Sequence, residues 1–283
     1  MAAKDGILLL GGDGMLGRIL RENWPQRSLL YTTRRRKNDP LALYCDLESA
    51  KFEDDLPLAG VFILAAGITS FQGCEKAPGK AWKVNVEAVG KIAKYCSRHG
   101  IRLIFLSSSS IFDGMRQDPE ETAPPSPMTL YGKMKKEAEN LVQTSKCNFQ
   151  IVRLTKIMDS SSGFIRDCSQ RLIHGEKIVA SPQMPVAPLR GKWAQEAIQK
   201  CIKVSEDSIL HLSPTDETSY YKLAEEIVAK KELAQDNLMV QSASELKKKC
   251  VWTPRHAKLG TQRSSRMLNL EMPSWIEVLK EVK

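Results

Sequence analysis

No two cysteines in this chain stand at the spacing of a metal or redox pair. The seven that occur (Cys45, Cys74, Cys96, Cys147, Cys168, Cys201 and Cys250) are scattered and odd in number, and no cysteine–histidine cluster exists. Reduced thiols are therefore expected and a structural zinc site is not. The four histidines (His99, His174, His211 and His256) are as dispersed, which suits core or surface roles rather than metal ligation. Long apolar runs are also missing: each is short and bounded by glycine or charge, too short to span a bilayer. Nor does the start read as a signal peptide, because Lys4 and Asp5 precede a brief apolar run that ends in Gly-Gly-Asp. A cytoplasmic location with no membrane partner is the expectation. Internal repeats and low-complexity tails are absent. At 283 residues the chain has room for one large domain or one and a half, with a sizeable core.

The net charge is +9, but only Arg34-Arg35-Arg36-Lys37 forms a dense basic run. Charge spread in this way does not single out nucleic acid, and none is expected as a partner. It suits anionic small molecules such as dinucleotides and sugar nucleotides.

Apolar runs at Ile7–Leu10, Ser28–Thr32, Ala42–Cys45, Val61–Ala66, Leu103–Leu106 and Phe149–Leu154 read as strands. Helical patterns fill Met15 to about Asn23, about Gly79 to His99 with Gly100 as its C-cap, and Tyr131–Thr144. Strands apolar throughout suit a parallel sheet covered on both faces. The alternation predicts an α/β fold, a doubly wound, mostly parallel Rossmann-type sheet. After residue 155 the alternation fades. Helices are expected at Leu189–Val204, Tyr220–Lys231 and Pro273–Val282, and a strand at Ile209–Leu212 that returns to the main sheet. The expected division is a dinucleotide-binding domain over 1–155 and a smaller α+β substrate lobe over 156–283.

Gly11-Gly12-Asp13-Gly14-Met15-Leu16-Gly17 follows the first strand and opens the first helix. A pyrophosphate needs a close backbone approach and the positive end of a helix. Gly11 allows the tight turn, Gly14 the approach and Gly17 close helix packing. The spacing is G-x-x-G-x-x-G, and the candidate cofactor contacts here are Gly11, Gly14, Met15, Leu16 and Gly17. The second strand ends in Thr32-Thr33-Arg34-Arg35 without the acid that would accept a ribose 2′-hydroxyl. Guanidinium groups pair well with phosphate, so Arg34 and Arg35 point to NADP(H) over NAD(H).

Tyr131 and Lys135, four residues apart, share one helix face. An ammonium beside a phenol favours the phenolate and is expected to lower a pKa that is ordinarily near 10. Ser107–Ser110 end the fifth strand, where ligands bind in such sheets. These segments, with Asp46-Leu47, Ala65-Ala66-Gly67, Val84-Asn85-Val86, the Ile111–Gly114 tail (IFDG) and the glutamate four residues after Lys135, resemble an extended short-chain dehydrogenase/reductase. Within that superfamily the chain is most similar to the dTDP-4-dehydrorhamnose reductase family of sugar-nucleotide reductases. The likeness is strong over 7–155 and traceable beyond, through Ala187-Pro188, His211-Leu212-Ser213 and Trp252-Thr253-Pro254.

The resemblance implies that Ser108 is the catalytic hydroxyl, Tyr131 the general acid and Lys135 the residue that holds the nicotinamide ribose. It places Asp46 and Leu47 at the adenine and Ala65, Ala66 and Gly67 along the ribose and pyrophosphate. It implies a reductase that takes hydride from NADPH to a keto group of a nucleotide-linked sugar. Ser108, Ser109 and Lys156 are then candidate substrate contacts. The departures are on the substrate side: Ser109-Ser110 replace an Asp-Tyr pair, Lys156 replaces an aromatic, and Pro182–Pro188 lack the usual acid. A second reading is therefore kept, a catalytically idle NADP-binding regulatory subunit. A homodimer is compatible with either, and no metal is expected.

Overall fold

The computed structural model describes residues 6–24, 29–35, 38–160, 163–231, 238–242 and 252–282. Lys4, Asp5, Ser28, Arg36, Lys37 and Cys250, named above, lie outside them. The chain forms two compact units, one of Met1–Ile111, Pro125–Arg153 and Gln195–Leu210, the other of Phe112–Pro124, Leu154–Ala194 and His211–Lys283.

The first unit opens with β1 (Ile7–Leu10), α1 (Met15–Glu22), β2 (Leu29–Thr33), β3 (Ala42–Tyr44) and β4 (Val61–Leu64). Then come α2 (Phe71–Lys76), α3 (Pro78–Trp82), α4 (Ala88–His99), β5 (Arg102–Ser108), α5 (Leu130–Thr144) and β6 (Phe149–Leu154). Leu8, Leu9, Leu10, Phe62, Ile63, Leu103, Ile104 and Phe105 have no solvent exposure, as strands sandwiched between helices require. Adding β11 (Ser208–Leu212), the sheet runs β11-β6-β5-β4-β1-β2-β3, and the pairs β1–β2, β1–β4, β2–β3 and β4–β5 are parallel. Strand order reverses at β1, which lies between β4 and β2. The loops after β1 and β4 therefore border a crevice at the carboxyl ends of the strands.

The single helix expected from Gly79 to His99 forms without interruption, but it widens by a π turn in the middle. After α3 the chain takes a π-helical turn over Lys83–Glu87 before α4 begins. Asn85 sits in that wide turn, 2% exposed, and its amide grips Ile68 twice: Oδ1 accepts from the Ile68 N–H at 2.8 Å and Nδ2 donates to the Ile68 carbonyl at 2.9 Å. Gly100 ends α4 with φ +64°, as expected of a C-cap.

The second unit holds β7 (Lys156–Met158), α6 (Gly163–Ile173), β8 (Ile178–Ala180), β9 (Pro185–Val186), β10 (Pro188–Arg190), β12 (Thr218–Ser219), α8 (Tyr220–Lys230) and β13 (Leu238–Val240). α7 (Gly191–Lys203) starts after β10, because Pro188–Arg190 pair with Lys156–Met158 rather than joining the helix expected from Leu189. The strands form three two-stranded pairs, over a core that includes Ile165, Leu172, Leu223, Ile227 and Val278. The helix expected over Pro273–Val282 is a 3-10 turn, Trp275–Glu281. Its start is pinned to Asp216, which accepts from the Trp275 N–H at 2.8 Å and the Ser274 hydroxyl at 2.9 Å. Gly114, at φ +69°, lets the Asp113 carbonyl meet the Trp252 indole N–H at 3.0 Å. No helix among the described residues is long and apolar enough to cross a membrane.

Two of the charges buried in the first unit form an ion pair. Arg153 on β6 holds Glu139 on α5 through two nitrogens, Nη2 to Oε2 at 2.8 Å and Nε at 3.2 Å, and each side chain is 2% exposed. The Ser107 hydroxyl on β5 donates to the same carboxylate. Removing one partner strands the other charge. Arg153→Met should lower unfolding stability by about 3–5 kcal/mol in urea titration, and pairing it with Glu139→Leu should recover a large part of that loss.

Candidate active site

A cleft of about 700 Å³ opens at the crevice beside β1, within the usual range for small-molecule sites of roughly 300–1,000 Å³. Of the candidate cofactor contacts, Gly11, Gly14, Arg34, Arg35, Asp46 and Leu47 line it, as do Ala65, Ala66 and Gly67. Met15, Leu16 and Gly17 do not line it. They form the first turn of α1, whose amides lack acceptors within the helix.

The glycine turn is built from both sides. Gly11, at φ +102°, donates its N–H to the Thr32 hydroxyl at 3.0 Å, and the Gly12 N–H meets the Thr32 carbonyl at 2.9 Å. The Thr33 hydroxyl donates to Asp13. A Cβ on Gly11 would run into the Ala66 backbone, one on Gly12 into the Tyr31 ring and one on Gly17 into the Gly11 carbonyl. Gly14 is different, since a Cβ there meets nothing nearer than the Gly11 carbonyl at 3.7 Å. The fold leaves room above Gly14, and that space fits the close approach of a dinucleotide pyrophosphate. Sequence reasoning missed Asp13, Thr32 and Thr33 as supports of the turn, although two threonines ending an apolar strand were a visible signal.

On the far side, Asp46 Oδ1 accepts from the Glu48 N–H at 3.1 Å and shapes the turn after β3. Glu48 pairs with Lys80 at 2.8 Å and Arg34 at 3.4 Å. The sequence reading named neither Glu48 nor Lys80, because nothing in their spacing brings them to Arg34. It also assigned no role to Asn85, whose grip on Ile68 holds the loop that follows Gly67.

Ser108, Tyr131 and Lys135 lie in the same unit. Thr129 caps α5 by accepting from the Gly132 N–H at 3.0 Å, which starts the helix at Leu130 and places Tyr131 in its first turn. Gly132 packs so closely on the Ser110 carbonyl that a Cβ would not fit. Ser108 Oγ accepts from the Ser110 N–H at 3.1 Å and lies 3.1 Å from the Ser110 hydroxyl. Ser109 occupies the 3-10 turn after β5. Tyr131 is 6% exposed, and burial drives its pKa up rather than down; a hydrogen bond with Ser108 pulls the other way. The lowering expected from Lys135 is absent in the protein alone. The lysine ammonium donates to the Leu106 carbonyl at 2.8 Å and sits 4.5 Å over the Phe105 ring, 5.9 Å from the centre of the Tyr131 ring. Burial also pushes Lys135 down to about 8, against the opposing pull of Glu139. The phenol is thus held protonated, the state a proton donor needs.

Lys156 opens β7 in the second unit, with its side chain exposed. The described residues contain no group of three or more potential metal ligands.

The model of one family, RmlD substrate binding domain, matches residues 5–283. Methionine adenosyltransferase 2 subunit beta of Rattus norvegicus is 30% identical over 155 residues, 52% of this chain and 46% of that protein. The chain thus spans under half the length of that curated relative. dTDP-4-dehydrorhamnose reductase of Aggregatibacter actinomycetemcomitans is 25% identical over 235 residues, 79% of this chain and 80% of that protein. A solved structure of dTDP-4-dehydrorhamnose reductase from Bacillus anthracis in complex with NADP has the same fold, with a TM-score of 0.86 and 21% identity over 99% of both chains.

Two outcomes check the site. Gly14→Ala should leave unfolding stability within about 1 kcal/mol while weakening dinucleotide binding at least roughly tenfold, whereas Gly17→Ala should cost about 1–3 kcal/mol of stability. The Lys135 proton gives a pH signature. Its folded pKa, about 8, lies below the unfolded value of about 10.4. Between them the unfolded chain holds more protons, so stability rises with pH, by at most about 1.4 kcal/mol per unit from this group. Urea titrations from pH 7 to 10 should show that this rise is lost in Lys135→Met.

Proposed function

The chain belongs to the RmlD substrate binding domain family, and from that premise we propose that it is an NADPH-dependent reductase of a keto group on a nucleotide-linked sugar. The observation that carries this reading is the pairing, within one unit, of a glycine-turn cleft open at Gly14 with a buried tyrosine and lysine beside Ser108. Residues 1–155 would hold the dinucleotide and 156–283 the sugar nucleotide.

The first turn of α1 and the glycines would hold the pyrophosphate, Asp46 and Leu47 the adenine, and Arg34 and Arg35 a 2′-phosphate, which favours NADP(H) over NAD(H). When bound, the cofactor supplies the hydride. The chain's own residues do the rest. Ser108 polarises the carbonyl by hydrogen bonding, Tyr131 gives the oxygen its proton, and Lys135 holds the ribose and keeps Tyr131 in place. A protonated phenol suits reduction, because the reaction consumes its proton. Ser109 and Lys156 are proposed substrate contacts. A lysine where the family carries an aromatic favours a substrate other than dTDP-4-dehydrorhamnose. The six cysteines among the described residues are free, buried thiols, which supports a reducing cytoplasm as the location. A homodimer remains compatible with this reading.

The second reading, an NADP-binding regulatory subunit without turnover, draws support from the likeness to the rat adenosyltransferase subunit beta over half of this chain. One experiment separates the two. The purified protein is titrated with NADPH and NADH, then screened against nucleotide-linked keto sugars for NADPH oxidation. Turnover on one keto sugar is the expected result, and Tyr131→Phe should reduce it by about 10²–10⁴ while retaining cofactor binding. Undiminished turnover in that variant would remove Tyr131 as the proton donor. Tight NADPH binding with no turnover across the panel would favour the regulatory reading.

A further inference from the structure

The end of β2 lacks the acid that would accept a ribose 2′-hydroxyl, yet the folded chain brings an acid to the same cleft by another route. Glu48, four residues beyond the last residue of β3, lines the cleft with Arg34 and Lys80. One oxygen, Oε1, meets both cations, Lys80 Nζ at 2.8 Å and Arg34 Nη1 at 3.4 Å. The three side chains come from separate segments: the end of β2, the turn after β3, and α3. Glu48 is the least exposed of them, at 30% against 66% for Arg34 and 49% for Lys80. Its amide is fixed by Asp46, so the carboxylate is presented by an ordered turn.

A carboxylate bridging two cations in an anion-binding cleft occupies the place an incoming phosphate would take. We propose that Glu48 sets the cofactor specificity of this protein, competing with the 2′-phosphate of NADP for Arg34 and Lys80 and accepting the free 2′-hydroxyl of NAD. The proposal rests on the dinucleotide reading above. A 2′-phosphate drawn to these two cations approaches the Glu48 carboxylate, so it binds at the expense of the Glu48 pairs, by the modest amount that partly exposed pairs carry. An unphosphorylated ribose requires no displacement. Its hydroxyl meets a carboxylate acceptor of the kind that NAD-binding folds ordinarily place at the end of the second strand. Lys80 becomes a further phosphate ligand, beside Arg34 and Arg35. The preference for NADPH is accordingly narrower than the basic run at Arg34 suggests.

The test titrates wild type, Glu48→Gln and Lys80→Met with NADPH and with NADH, with thermal unfolding as a folding check. Glu48→Gln should tighten NADPH binding roughly threefold to tenfold, the scale of one partly exposed ion pair. It should leave NADH binding unchanged or weaker, so the ratio of the two affinities rises. Lys80→Met should weaken NADPH and spare NADH. Weaker NADPH binding in Glu48→Gln would overturn the proposal, since Glu48 would then organise the cations rather than compete for them. An unchanged ratio would overturn it as well, with the dinucleotide reading intact. Failure of the wild type to bind either dinucleotide would overturn that reading together with this one.

Discussion

The buried pair of Arg153 and Glu139 is the constraint on which the placement of Tyr131 and Lys135 depends. A helix lying on an apolar sheet can rotate about its axis at modest cost, because dispersion contacts are not directional. A buried carboxylate held by a guanidinium and a serine hydroxyl removes that freedom, since rotation would leave an uncompensated charge in the interior. Glu139 lies one helical turn from Lys135 and about two from Tyr131. Fixing its orientation therefore fixes theirs. Ser107 ties the pair to β5, and Ser108, next along that strand, is thereby set beside the phenol.

Around this anchor, burial determines the protonation states. Tyr131 and Lys135 lie in the same dry region, and each is pushed towards its neutral form: the phenol up, the ammonium down to about 8. The lysine gives one of its N–H groups to the Leu106 carbonyl and lies over the Phe105 ring. Its effect on the phenol is therefore smaller than the four-residue spacing suggests. The same spacing read on an isolated helix would overstate the coupling, because the lysine's partners come from the sheet.

The glycines divide in a similar way. Gly11, Gly12 and Gly17 are required by the fold, each lying where a Cβ would strike a neighbour. Gly14 meets no such obstacle, and its lack of a side chain serves the cleft instead. The cleft's electrostatics are likewise a product of folding. The basic run looks like an open phosphate site, but Glu48 already bridges Arg34 and Lys80 across it.

The sequence alone determined the doubly wound sheet, because strands apolar along their whole length and a glycine turn between the first strand and helix leave few other folds. It also put Tyr131 and Lys135 on one helix face, because a spacing of four on a single helix is a local signal, whereas Ser108, on β5, was singled out only by the family resemblance. Gly100 was legible as a cap for the same local reason. What it left undetermined was set by partners distant in the chain. The helix that periodicity predicts over Gly79–His99 is continuous, but the π turn inside it was not legible, and neither was the grip of Asn85 there on Ile68, seventeen residues away. The pairs β7–β10, β8–β13 and β9–β12 use strands of two or three residues, too short for any periodicity to register. The rise in the Tyr131 pKa and the bridge through Glu48 exist only once separate segments close over one another, since desolvation and ion pairing depend on distances that the chain acquires on folding.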